Sequence, residues 1–140
     1  LAVIDSFLII EYLDERFPLP PLIPADPISR ARVRVGLMQF DRDWFNPLFR
    51  PGYSEQDKVA AKDSLRRSLA QLSTLFSQQR YLFGDELSIA DCALAPLLWR
   101  LPSLGIEIPK AAKATLDYAE QIFALESFQR SLTPSEKALR

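Results

Sequence analysis

The chain has 140 residues, of which 48% are hydrophobic, with 17 basic and 18 acidic side chains and no histidine. Near-neutral charge argues against general nucleic-acid binding, which needs a basic excess or a dense basic stripe. The missing histidine removes Ser-His-Asp and Cys-His catalysis and most zinc sites. A single cysteine excludes an internal disulfide and suits a reducing compartment. No apolar run reaches the ~18 residues of a membrane span, and no signal peptide is visible. Four glycines and abundant Ala, Leu, Glu and Arg point to an all-α fold. A chain this long fits one compact domain burying roughly 68% of its unfolded surface.

Leu1 to Ile4 read as the end of a strand whose partners lie upstream, so the chain is expected to lack an N-terminal part. Asp5 or Ser6 then caps a helix from Phe7 to Arg16, with Leu8, Ile9, Tyr12 and Leu13 at helical spacing. Five prolines between Phe17 and Pro27 forbid both helix and strand and give a stiff, extended connector. A long amphipathic helix is predicted from Ile28 to about Phe45, with Ala31, Val35, Met38 and Phe45 along one face, closed by Pro47 and Pro51-Gly52. Ser54 opens a second long helix striped by Leu65, Leu69, Leu72 and Phe76.

The segment Leu87 to Arg100 is apolar on nearly every side and must lie at the centre of a helical domain. It opens with a capping box, Ser88 and Asp91, and with Leu87 and Cys92 spaced as a hydrophobic staple. Pro96 inside it cannot donate to the Cys92 carbonyl and should bend the helix. Further helices are expected over Ala111 to Phe123 and Glu126 to Leu132, with a last turn at Thr133-Pro134-Ser135-Glu136.

An Asp-Ser helix opening, a Tyr-Leu-Asp-Glu-Arg-Phe-Pro exit, two long helices and a Ser-x-x-Asp central helix, in that order, resemble the glutathione-transferase fold. The resemblance implies that residues 1–16 are a remnant of a thioredoxin-like N-terminal domain. Residues 17–27 would be a proline-rich linker, and residues 28–140 an all-α C-terminal domain. Three stretches resemble the stringent starvation protein A family more specifically. They are Ile10 to Pro18, Leu94 to Pro102 with Leu104 to Glu107, and Ser131 to Lys137.

That resemblance implies a cytoplasmic homodimer, associated with RNA polymerase holoenzyme and its housekeeping sigma factor. It implies no catalytic residues, no cofactor, no direct sequence-specific DNA binding and no membrane. The implied contact surface is a Pro-His-Pro turn, which falls on Pro18, Leu19 and Pro20 after Phe17. Leu19 replaces the family's histidine, which keeps a rigid apolar turn but removes the imidazole. The same prolines also suit a plain inter-domain strut.

Asp5 and Ser6 either cap their helix or grip the γ-glutamyl end of glutathione. The second option belongs to an alternative function, an active glutathione transferase or isomerase whose catalytic Tyr, Ser or Cys would precede Leu1. A weaker option is a scaffold that only dimerises. Cys92 reads as a small hydrophobe or, less readily, a reactive thiol. Arg30, Arg32, Arg34 and Arg42 read as a solvated or dimer-facing helix side, or as a surface for phosphate or an acidic partner. Phe40, Trp44, Phe45 and Phe49 are expected in the core or an interface.

Overall fold

The computed structural model describes residues 4–140, so Leu1 to Val3 of the expected strand lie outside the described residues. Among the described residues eight α-helices follow in order: α1 Ser6–Arg16, α2 Pro27–Phe40, α3 Asn46–Phe49, α4 Glu55–Phe76, α5 Ile89–Arg100, α6 Lys113–Phe123, α7 Glu126–Ser131 and α8 Pro134–Lys137. Among the described residues the only β pairing is a single bridge between Tyr81 and Gly84.

Local chemistry sets the helix starts. The Asp5 carboxylate accepts from the amides of Phe7 and Leu8 at 3.0 and 3.2 Å. Asp26 accepts from the Ser29 amide at 2.7 Å, with Pro27 in the first turn, where its missing N–H costs nothing. Ser54 and Asp57 form a reciprocal capping box on α4, bonded at 2.8 and 3.1 Å. Gly105, at φ 68°, supplies the left-handed residue that ends the short 3₁₀ turn Pro102–Leu104 after α5.

α5 is the axis of the domain. Ile89, Ala90, Leu94, Leu97 and Leu98 are each at most 1% exposed, and the helix packs against α1, α2 and α6. Burying each such Leu or Ile stabilises the fold by about 1.5–3 kcal/mol, enough to offset the proline inside the helix. Pro96 itself faces outward. α6 is joined to α4 by the buried Thr115 hydroxyl, which donates to the Leu69 carbonyl at 2.9 Å.

Three expectations are corrected. The buried face of α2 is Val33, Leu37 and Phe40, whereas Val35 and Met38 are 53% and 70% exposed. Two residues along a helix turn it by 200°, so the expected stripe lies on the opposite side. α1 shows the same inversion, with Phe7 and Ile10 on the core and Leu8, Ile9, Tyr12 and Leu13 exposed. Finally, the long helix is not uniform. A π-helical turn, Asp41–Phe45, follows α2 and leads directly into α3, which carries Pro47 in its first turn. The chain therefore stays helical to Phe49.

Candidate functional site

The expected contact residues lie where α1 gives way to the proline segment. The Phe17 amide closes α1 on the Leu13 carbonyl at 2.9 Å. The Leu19 amide donates to the Phe17 carbonyl at 2.9 Å, a three-residue turn, and the Leu19–Pro20 peptide is cis. Phe17, Pro18, Leu19 and Pro20 are all exposed, Phe17 at 64% and Leu19 at 89%. The Arg16 guanidinium lies 5.1 Å from the centre of the Phe17 ring.

What holds this turn is a residue that sequence reading missed. The buried carboxylate of Asp14 accepts from the Leu22 amide at 2.7 Å and from the Ile23 amide at 3.0 Å. One α1 side chain thus fastens the chain where it leaves the turn, and the Ile89 amide holds the Leu22 carbonyl from α5 at 3.0 Å. A signal was present: Phe7, Ile10 and Asp14 share the core-facing side of α1, and a carboxylate there needs donors.

Asp5 and Ser6 sit at the other end of α1, away from the proline turn. Besides capping, the Asp5 carboxylate faces Arg50 at 3.6 Å, and Ser6 is exposed as the first helical residue. The arginines of α2 are partly engaged: Arg34 pairs with Glu11 of α1, and Arg30 Nε donates to the Pro24 carbonyl at 3.2 Å. Arg42 pairs with Asp43. Phe40 and Trp44 are buried and stacked with centroids 5.0 Å apart. Phe45 meets Phe7 edge-on, and Phe49 is half exposed.

Ser88 and Asp91 do form the expected capping box, and Asp91 does more. Its Oδ2 accepts from the amide and hydroxyl of Ser88 at 2.9 and 2.8 Å. Its Oδ1 accepts from the Leu82 amide at 3.0 Å and from the Tyr118 hydroxyl at 2.7 Å. Asp91 is fully buried, and these bonds tie α5, the loop before it and α6 together. Burial, then the Asp91 charge, pushes the Tyr118 hydroxyl far above its ordinary value. Cys92 borders a cavity of about 250 Å³ that is also lined by Leu87, Pro96 and Phe128. Burial, then Asp91 and Asp14, pushes its thiol up to about 11. It therefore stays protonated at neutral pH and is a poor nucleophile.

Two of the stretches that carry the family resemblance meet in space. Trp99 Nε1 donates to the Glu136 carbonyl at 2.8 Å, and Arg100 pairs with the Glu136 carboxylate. Glu136 in turn caps Thr133 by a reciprocal box.

A family model described as "Glutathione S-transferase, C-terminal domain" matches residues 21–126. The stringent starvation protein A homologue of Coxiella burnetii is 39% identical over 143 residues, covering 100% of this chain and 68% of that protein. The homologue from Haemophilus influenzae is 37% identical over 134 residues, covering 94% of this chain and 63% of that protein. Among solved structures, a ternary complex of BphK, a bacterial glutathione transferase, superposes with a TM-score of 0.79 at 25% identity, covering 96% of this chain and 68% of that one. The chain belongs to the glutathione S-transferase C-terminal domain family and, within that fold, to the stringent starvation protein A family.

Proposed function

We propose that the protein is a transcription regulator that associates with RNA polymerase holoenzyme through its housekeeping sigma factor, in the cytoplasm and without catalysis. Phe17, Pro18, Leu19 and Pro20 make the contact. The observation that carries this reading is the combination of exposure and anchorage. Phe17 and Leu19 are 64% and 89% exposed, yet Asp14 pins the residues that follow them. A turn ordered before binding loses little entropy when it docks, and exposed apolar groups at such a point favour a protein partner. Among the described residues no helix is long and apolar enough to cross a membrane.

The test is retention of RNA polymerase holoenzyme by the immobilised protein, compared with a Pro18→Ala, Pro20→Ala variant. Loss of retention with unchanged melting supports the reading, and equal retention overturns it. Self-association is proposed to use the outer face of α2, where Ile28, Val35 and Met38 form an exposed apolar stripe. Sedimentation of Met38→Glu as a monomer would support that use, and an unchanged dimer would refute it.

A second reading, glutathione transfer or isomerisation, draws support from the likeness to BphK and from Asp5 and Ser6 at the N-terminus of the 11-residue α1. Turnover of a chlorinated aromatic with glutathione, abolished by Asp5→Ala, would favour it.

A further inference from the structure

Directly after Pro20 the chain borders a groove of about 400 Å³, walled on one side by Pro21, Leu22 and Pro24 and on the other by Phe83, Asp85 and Glu86. Both walls are fixed. The first is held by the amide bonds to Asp14 and by the Ile89 amide on the Leu22 carbonyl. The second is built on a tight turn in which the Tyr81 amide donates to the Gly84 carbonyl at 2.8 Å, with Gly84 at φ 139°. Phe83 rests directly on the backbone of α2, since a Cβ on Gly36 would come within 2.8 Å of its Cζ. Phe83 as a whole is nevertheless 39% exposed. Asp85 and Glu86 are exposed beside it, and among the described residues neither forms an ion pair. Arg80 offers Asp85 only its backbone amide, at 3.4 Å. Its guanidinium turns instead to Gln121 and the Tyr81 ring. Among the described residues Arg30, bonded to the Pro24 carbonyl, is the one cation whose side chain holds a wall, and two carboxylates outweigh it.

We propose that this groove receives a lysine or arginine side chain of the protein that docks on the Phe17–Pro20 turn. The proposal rests on the protein-docking reading above. The methylene stem lies along Phe83 and the prolines, and the cationic head reaches Asp85 and Glu86. Long cationic side chains commonly bury their stems on apolar surface while the charge stays in water. A cation over an aromatic face gains attraction from the ring, and unpaired carboxylates at the rim draw it in by their field. The groove and the turn are adjacent in the chain, so one partner segment can engage both, placing an apolar residue on Leu19 and a basic one beside Phe83.

The experiment measures binding of the purified protein to RNA polymerase holoenzyme across a series of salt concentrations. The variants are Asp85→Asn with Glu86→Gln, Phe83→Leu, and Pro18→Ala with Pro20→Ala. The carboxamide pair should weaken binding about three- to tenfold at low salt and flatten its salt dependence, with melting unchanged. Phe83→Leu should weaken it about threefold at every salt concentration. Wild-type affinity and salt dependence in the carboxamide pair, while the proline variant fails to bind, would overturn the groove and leave the turn standing. If the wild-type protein itself does not bind, the docking reading falls and the groove proposal falls with it.

Discussion

Two buried carboxylates organise two loops, one at the centre of the bundle and one at its edge. Asp91 gathers the amide and hydroxyl of Ser88, the amide of Leu82 and the hydroxyl of Tyr118 with no exposure at all. Asp14 gathers the amides of Leu22 and Ile23 at the margin of the core. The chemistry is shared, since an ionised carboxylate accepting backbone N–H groups makes stronger bonds than a neutral acceptor would. The consequence differs. Around Asp91 every bonded segment is itself buried, so its bonds build the interior. Around Asp14 the chain has just left an exposed turn, so its bonds shape a surface. An exposed turn can thus be anchored by the same bonds as a core while contributing less to the stability of the whole.

The sharpest way to break this contrast is to remove each carboxylate. Asp91→Ala strands four donors, and each buried unsatisfied donor costs about 1–3 kcal/mol, so with partial relaxation the loss should be about 3–5 kcal/mol. That is a large share of the roughly 5–15 kcal/mol available to a domain. Urea unfolding measures it, and a loss below about 1 kcal/mol would contradict the central role of Asp91. Asp14→Ala should cost less, about 1–2 kcal/mol, because it strands two donors rather than four and the Leu22 amide is only part-buried. Its signature is local. Hydrogen exchange at the Leu22 and Ile23 amides should accelerate well beyond the global change, and holoenzyme retention should fall while the bundle stays folded. Unchanged exchange at those two amides would separate Asp14 from the turn.

How much of this was legible in the sequence follows the range of each interaction. Ser88 and Asp91 were readable because a capping box spans three residues of one helix. The bonds from Leu82 and Tyr118 to the same carboxylate were not, since they depend on how a loop and α6 fold back. The role of Asp14 was hidden because its bonds reach eight and nine residues ahead, through prolines that give no periodic signal. On α1 and α2 the periodicity was real but ambiguous. Each helix carries apolar residues on two opposite sides, and spacing alone does not say which side meets the core. The residues the pattern favoured, Leu8, Ile9, Tyr12 and Leu13 on α1 and Val35 and Met38 on α2, are exposed.

Alkaline pH titrates two groups beside Asp91, the Cys92 thiol and the Tyr118 hydroxyl. In the unfolded chain the Cys92 thiol titrates at its ordinary 9.0, whereas in the fold burial pushes it up to about 11. A raised pKa means the folded state keeps a proton that the unfolded state gives up. The resulting stability is fully present below pH 9 and is lost as pH climbs toward about 11. Tyr118 adds the same sign from pH 10 upward. Unfolding midpoints followed from neutral to alkaline pH should therefore decline near the Asp91 cluster's own groups, and Cys92→Ala should flatten the first part of that decline. An identical decline in Cys92→Ala would show that partial burial does not raise the thiol as described.

A third carboxylate, Glu136, caps a helix in the tail, and its loss should matter least. Thr133 and Glu136 cap α8 much as Ser88 and Asp91 cap α5, but on the surface. The Thr133 hydroxyl accepts from the Glu136 amide at 3.2 Å, while the Glu136 carboxylate accepts from the Thr133 amide at 3.0 Å. Because α8 spans only four residues, its cap is a large part of what keeps it formed. Thr133→Ala should cost about 0.5–1 kcal/mol, a fraction of the Asp91 effect. It should also free the Glu136 carbonyl from Trp99, exposing an indole now half-buried against Phe123 and Phe128. Tryptophan emission reads this, with Trp44 buried under Phe40 as the internal reference for an undisturbed core. A red shift with little change in the unfolding midpoint means the tail is a separable cover over the second half of α5. No shift in emission means that Trp99 and Arg100 hold Glu136 without help from the cap, and the two signature stretches then act as one rigid piece.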